Sequence, residues 1–193
     1  MRPLKDQDLE GTEPGAAGRA GRLLLRALWE VARTVVPAVL IALVINVFVV
    51  QATTIEGPSM QPNLYGGHLV MTEKVTYRFL HPPRRGDVVV INMPGEEIPL
   101  IKRVVGLPGE TVEVRDGRVW IDGVLLKEPW VTRLGGRGCP ATTVPPLHLF
   151  VLGDNRPNSR DSRSFGPVAL DQLAGHALFI YWPPDRIGLL SGQ

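Results

Sequence analysis

The alternation of hydrophobic and polar positions divides the chain into three stretches of different period. Residues 1–21 hold Gly, Ala, Pro and mixed charge with almost no large apolar side chain, a composition that predicts a disordered tail carrying no fold. From Arg22 to Arg33, Leu23, Leu24, Leu25, Leu28 and Trp29 recur among Arg22, Arg26, Glu30 and Arg33 in a helix-compatible pattern. Charge then disappears for the 22 residues that precede Glu56. Within that run, Thr34 to Ala52 is 19 residues long, which at 1.5 Å per helical residue covers roughly 28 Å against a hydrocarbon thickness of ~30 Å. The pattern predicts a membrane-anchor helix region over residues 22–52 with a transmembrane span at 34–52. Pro37 falls in the first turn of that span, where a missing N–H is tolerated, and Asn46 is its one strongly polar interruption.

From Ile55 onward the period changes to two. His68–Glu73, Gly86–Asn92, Leu100–Gly106 and Thr111–Arg115 are short β-branched runs bounded by Gly and Pro, which predicts strands. Asp116-Gly117 separates Val112–Arg115 from Arg118–Ile121 as a tight hairpin turn does, and Asp122-Gly123 follows the next run. No long helical period occurs after Ala52. With 18 prolines and 21 glycines in the chain, residues 53–193 are expected to form one mainly β domain, a curled antiparallel sheet or partly barrel-like structure with long connections. Arg133 to Pro146 is expected to be its least ordered connection.

The flanks of the apolar run give it a direction. Arg19, Arg22, Arg26 and Arg33 crowd its N-terminal side, and the other side has no Lys or Arg until Lys74. The positive-inside rule therefore places the tail in the cytoplasm and residues 53–193 outside. A cleaved secretory peptide is the competing reading, with Val50-Gln51-Ala52 as a small-residue exit, but the run exceeds the usual h-region of about 7 to 15 residues.

Composition narrows the function classes. A net charge of +2 with basic residues dispersed, apart from pairs such as Arg84-Arg85 and Lys102-Arg103, leaves no electrostatic footprint for nucleic acid. The single cysteine, Cys139, excludes an intrachain disulfide and a multi-cysteine metal cage. His68, His81, His148 and His176 form no i, i+4 pair and no H-E-x-x-H, so zinc chemistry has no support in the sequence.

The candidate chemistry lies in three places. Pro58 and Pro62 each fix φ near −65° and push the preceding residue toward extended geometry, so Ser59 between them sits on a non-helical, presenting backbone. The serine lacks the closing Gly of a G-x-S-x-G elbow, and Pro62 stands where S-x-x-K would need a lysine. Lys102 is a candidate base: alternation puts it on the strand face of Leu100 and Val104, where loss of water favours the neutral amine that proton abstraction requires. An ordinary lysine snorkelling from a half-buried strand is the plainer alternative. The third place, Gly153 to Gly166, is a polar loop whose short side chains and opposite charges suit a buttress.

Together these stretches resemble the type I signal peptidases, membrane-anchored Ser/Lys endopeptidases. Ser59-Met60-Gln61-Pro62 with Leu64 is similar to the nucleophile box, Gly86-Asp87-Val88-Val89-Val90 to the following strand box, and Lys102-Arg103-Val104-Val105-Gly106-Leu107-Pro108-Gly109 to the base box. Gly153-Asp154-Asn155-Arg156, Asn158-Ser159 and Asp161-Ser162-Arg163 match the last box. The resemblance implies Ser59 as nucleophile, Lys102 as base and Ser159 as the hydroxyl that orients the lysine amine. It also implies Arg103, Asp154, Asp161 and Arg163 as structural ion-pair partners. Ile55, Met60, Leu64, Leu100 and Ile101 would bind substrate in shallow pockets for small side chains. Gly57 occupies a position where many relatives carry a serine that helps hold the oxyanion. By this resemblance the substrates are the signal peptides of exported preproteins, cleaved through an acyl-enzyme, with no metal or cofactor needed, by a monomer anchored in the bilayer of a bacterial plasma membrane. A self-cleaving repressor-type Ser/Lys protease shares the chemistry but not the anchor, and a membrane-tethered β module that only binds exported chains has no covalent serine step.

Overall fold

The computed structural model describes residues 16–48 and 50–190. The chain divides into two units, the first ending at Val44 and the second beginning at Ile45. A single helix, α1, runs Ala16–Phe48. It starts inside the stretch expected to be disordered, because Ala16, Ala17 and Ala20 are strong helix formers that lead into the leucine-rich segment. The expectation for residues 1–15 lies outside the described residues. Pro37 consequently falls in the interior of α1 rather than in a first turn, where it forfeits one backbone hydrogen bond without ending the helix.

The first strand, β1 (Val50–Thr54), corrects the C-terminal limit of the expected span. Val50, Gln51 and Ala52 are strand, not helix, since they pair antiparallel with Glu73, Thr72 and Met71 of β2 (Leu69–Glu73). Among the described residues no helix is long and apolar enough to cross a membrane.

The rest of the second unit is mainly β, and all its ladders are antiparallel. The strands after β2 are β3 (Val88–Ile91), β4 (Leu100–Gly106), β5 (Thr111–Arg115), β6 (Arg118–Ile121), β7 (Val124–Leu125) and β8 (Cys139–Thr143). They continue with β9 (His148–Leu152), β10 (Val168–Ala169), β11 (Leu173–Trp182) and β12 (Gly188–Leu189). The larger sheet has the order β1-β2-β11-β3-β4-β9-β10 with β12 beside β11, and the smaller one β7-β6-β5-β8. Register shifts in β11 at Leu173/Gly175, Ala177/Phe179 and Ile180/Trp182, and in β4 at Val104/Gly106, bend the larger sheet, as bulges do. Its path ends at β1 and β10 without closing into a barrel.

The expected hairpin forms as β5 and β6, with Val112 opposite Ile121 and Val114 opposite Val119. Asp116 and Gly117 both have positive φ, 50° and 79°, which is what a two-residue turn matching strand twist demands. The stretch expected to be least ordered, Arg133 to Pro146, instead supplies β8, an edge strand on β5 that tolerates Pro140 because its outer side needs no ladder donor. Helix is confined after β1 to α2 (Ser162–Phe165) and single 3-10 or π turns among the described residues.

Three apolar clusters fill the unit. One joins Ile55, Met60 and Leu64 to Val88, Val90 and Ile101. A second gathers Val105, Val112, Val114 and Phe150 between the two sheets' strands, and a third packs Val89, Val104, Val151 and Val168. The first cluster fixes the serine loop against β3 and β4, which is what brings residues 43 positions apart into contact.

Candidate active site

The loop carrying Ser59 is held by its own apolar neighbours. Met60 and Leu64 are fully buried, the Gln61 N–H donates to Pro58 O at 3.1 Å, and the Leu64 N–H donates to Met60 O at 2.9 Å. Gly57 has φ +77°, a left-handed conformation that an L side chain adopts only at a cost, although a Cβ there would meet nothing within 4 Å. The backbone rather than crowding explains the glycine.

Lys102 lies in β4, opposite Val89 of β3, and is 3 % exposed. Its Nζ donates to Ser59 Oγ at 2.9 Å and to Ile101 O at 2.7 Å. Burial lowers its pKa from 10.5 to about 8, against the opposing pull of the Asp161 and Asp154 carboxylates. A lysine at that value has an appreciable neutral fraction near neutral pH, and this one sits in hydrogen-bond range of the Ser59 hydroxyl.

Two buried ion pairs frame this contact. Arg103 donates through Nε and a terminal nitrogen to both oxygens of Asp154 at 2.9 and 2.8 Å, and through its other nitrogen to Gly86 O. Asp154 also accepts from Asn63 Nδ2 at 2.7 Å, and the same amide donates to Trp130 O. The Trp130 ring lies 4.9 Å from the Arg103 guanidinium carbon. The second pair joins Asp161 to Arg163 through two 2.8 Å bonds, and Asp161 additionally accepts the Gly153 N–H at 3.0 Å. Arg156, also buried, bonds Glu128, Gly117 O and Gly153 O.

Ser159 lies beside the pair without touching it. Its Oγ is buried and has no hydrogen-bond partner among the described residues, so the expected bond to the Lys102 amine is not formed here. Gly153 lies between it and the Ser59 backbone: a Cβ there would stand 2.3 Å from Ser159 Oγ and 2.5 Å from Ser59 O. Only glycine lets the two serine segments approach so closely.

Of the residues expected to bind substrate, Ile55, Met60, Leu64 and Ile101 are buried members of one core cluster, and Leu100 is half-buried. The open space lies alongside them. A groove of about 530 Å³ runs between β1 and the segment before β4, walled by Thr53, Thr54, Glu56, Asn92, Ile98 and Pro99. Neither Ser59 nor Lys102 lines the groove; the lining residues nearest to them in sequence are Glu56, three positions before Ser59, and Pro99, three before Lys102. Its β1 wall is an edge strand, able to pair with an extended peptide.

Sequence reasoning brought Asn155 and Arg156 only into a general buttress and gave no role to Asn63 or Trp130. The contacts of the latter two span 91 and 67 residues of chain, and nothing local to either signals them.

Comparison with known proteins identifies the family. The family model described as signal peptidase, peptidase S26, matches residues 28–182. A probable signal peptidase I-1 of Synechocystis sp. is 38 % identical over 175 residues, covering 84 % of this chain and 89 % of its own. A signal peptidase I of Leptolyngbya laminosa is 39 % identical over 172 residues, covering 85 % and 84 %. A crystal structure of a signal peptidase I from Enterococcus faecalis V583 is 37 % identical, with a TM-score of 0.41 over 49 % of this chain and 95 % of that one. With a family model matched over most of its length and relatives of this identity, the chain belongs to the signal peptidase family, peptidase S26, a family of serine proteases that cleave signal peptides.

Proposed function

We propose that the chain is a membrane-anchored endopeptidase that removes signal peptides from exported preproteins with a Ser59–Lys102 dyad, through an acyl-enzyme. The observation that carries this reading is the 2.9 Å contact between Lys102 Nζ and Ser59 Oγ, made by a lysine whose burial lowers its pKa to about 8. Neutral Lys102 accepts the Ser59 proton as Oγ attacks the carbonyl carbon of the scissile bond. The ammonium then returns that proton to the leaving nitrogen, the C–N bond breaks, and the mature chain departs. Water, deprotonated by the same amine, attacks the ester, and the carbonyl–Oγ bond breaks to restore Ser59. The substrate lies extended in the groove beside β1, with its cleavage site at the end nearest Ser59. Ser159 is the residue that would orient the amine, its buried hydroxyl being free of other bonds.

The anchor rests on the surface of α1. Residues 35–43 carry no polar side chain and at 100° per residue cover every side of the helix, and among them Val35, Val36, Val39, Leu40, Ile41 and Leu43 are each at least half exposed. A helix apolar all round belongs in a core or in lipid. With the arginines at its N-terminal side, the tail is cytoplasmic and the catalytic unit extracytoplasmic.

The test is to incubate the detergent-solubilised chain with a preprotein and sequence the new N-terminus. Cleavage after the signal peptide that is lost in Ser59→Ala and Lys102→Met supports the reading; equal cleavage by Ser59→Ala sinks it. Externally added protease on spheroplasts should degrade the region after Ala52 and spare a tag at Met1, and the reverse pattern would overturn the orientation.

A further inference from the structure

Asn155 is almost wholly buried, 1 % exposed, and its side-chain and backbone nitrogens donate to consecutive carbonyls of the nucleophile loop. Its side-chain Nδ2 donates to Pro58 O at 3.1 Å and its backbone N–H donates to Ser59 O at 3.0 Å. Its own carbonyl accepts from the Asn158 N–H at 3.0 Å, while Asp154 and Arg156 on either side are fixed by Arg103 and Glu128. The asparagine is therefore a rigid two-point clamp on the peptide units before and after Ser59.

A trans peptide unit is planar, with its C=O and N–H pointing in opposite directions. The Pro58–Ser59 bond is trans. With its carbonyl turned toward Asn155, the Ser59 N–H has to face the other way. That N–H makes no hydrogen bond to any other described residue, so it is an unspent donor on the residue whose Oγ attacks. The negative charge of a tetrahedral intermediate develops on the carbonyl oxygen bonded to the carbon that Ser59 Oγ attacks, within reach of this N–H.

We infer that Asn155 is a positioning residue for the oxyanion: by holding the Pro58 carbonyl it fixes the peptide plane that aims the Ser59 N–H at the developing charge. Without the side-chain bond, rotation of this one peptide unit turns the N–H away and leaves a carbonyl in its place, repelling the oxyanion instead of binding it. Gly57 sharpens the need, because it supplies no side-chain donor to compensate. The inference rests on the Ser59–Lys102 reading and concerns a step that reading leaves open.

The test uses the full chain in detergent, a cleavable preprotein, a peptide aldehyde of the signal-peptide sequence, and the same peptide ended as an unreactive amide. The aldehyde forms a tetrahedral adduct with the serine, and the amide reports ground-state binding alone. For Asn155→Ala we expect kcat to fall about 10- to 100-fold, less than the roughly 100- to 1000-fold that follows outright loss of one oxyanion donor because the N–H is misaimed and not removed, with KM changed less than about twofold. Aldehyde affinity should fall in proportion to kcat, amide affinity should hold, and the acid limb of kcat/KM should stay in place because the Lys102–Ser59 contact is untouched. Asn155→Asp, which keeps the shape but turns an oxygen toward the Pro58 carbonyl, should lose at least as much kcat. Equal losses for aldehyde and amide would mean a merely structural residue and overturn the proposal, as would wild-type kcat in the aspartate variant. A wild-type chain that neither cleaves the preprotein nor binds the aldehyde would instead remove the protease reading on which the clamp depends.

Discussion

Asp154 meets the Arg103 guanidinium with both carboxylate oxygens, at 2.9 and 2.8 Å, in a pair almost entirely shut off from solvent. The pair stands next to Lys102 in the chain, and the Asp154 charge raises the lysine pKa that burial depresses. Asp154→Asn should therefore act in two ways. It leaves Arg103 buried without its counter-charge, which costs about 3 to 5 kcal/mol of stability for a pair of this kind. It also removes a negative charge and frees a positive one near Lys102, both of which favour the neutral amine, so the acid limb of the pH profile should move to lower pH. Chemical unfolding and a pH series of kcat/KM on the same variant check the two effects. A limb moving upward would show that Asp154 does not act on Lys102 electrostatically.

In the wild-type chain the acid limb should report Lys102 itself. The reactive form is the neutral amine, so kcat/KM should rise about tenfold per pH unit below the lysine pKa and level off above about 8. Lys102→Arg should be inactive across the range, because a guanidinium stays protonated and accepts no proton. An active arginine variant would send the search to another base.

Much of this was legible in the sequence because it is local. The strand runs, the Asp116-Gly117 turn and the three polar or proline-flanked stretches each announce themselves over a few residues, and the face shared by Lys102 with Leu100 and Val104 follows from alternation. What was not legible depends on pairing across the fold. That Val50 to Ala52 join β2 instead of extending the helix follows from their ladder partners, since as an apolar run they suit either state. That Cys139–Thr143 is a strand follows from an open edge on β5. Ile55, Met60, Leu64 and Ile101 are apolar either as pocket walls or as core, and only the tertiary packing puts them in one buried cluster. The clamp from Asn155 joins positions 97 apart, which no local pattern encodes.

Two glycines near Ser59 should respond differently to substitution. At Gly153 a Cβ would stand 2.3 Å from Ser159 Oγ, 2.6 Å from Ser159 Cβ and 2.5 Å from Ser59 O, so Gly153→Ala must push the two serine segments apart. We expect cleavage to be abolished, with a lowered melting temperature. At Gly57 there is room, and the cost is the φ of +77°, about 1 to 2 kcal/mol for a residue with a side chain. Gly57→Ser should fold with a modest loss of stability, and its hydroxyl tests whether a side-chain donor at this position adds to the Ser59 N–H. Parallel thermal melts and kcat measurements separate the pair; a fully active Gly153→Ala variant would show that the close approach is not needed.

The depressed pKa of Lys102 has a consequence for folding that is separate from the proton transfer proposed for it. A lysine that binds its proton less tightly in the folded chain than in the unfolded one makes the fold less stable wherever the unfolded state is protonated and the folded state resists it. The penalty is absent above 10.5, where both states are neutral, grows as pH falls toward about 8, and is constant below that. The drop from 10.5 to about 8 corresponds to about 3 kcal/mol at neutral pH. Lys102→Met removes this penalty and keeps the apolar stem, while Ser59 Oγ and Ile101 O each lose a hydrogen bond worth about 1 kcal/mol. The inactive methionine variant should therefore be more stable than wild type at pH 7 by about 1 kcal/mol. Its advantage should shrink by about 2 kcal/mol, and change sign, on going to pH 9.5. Urea unfolding followed by tryptophan fluorescence at the two pH values measures the difference, and a stability gap independent of pH would mean that Lys102 keeps its ordinary pKa in the fold.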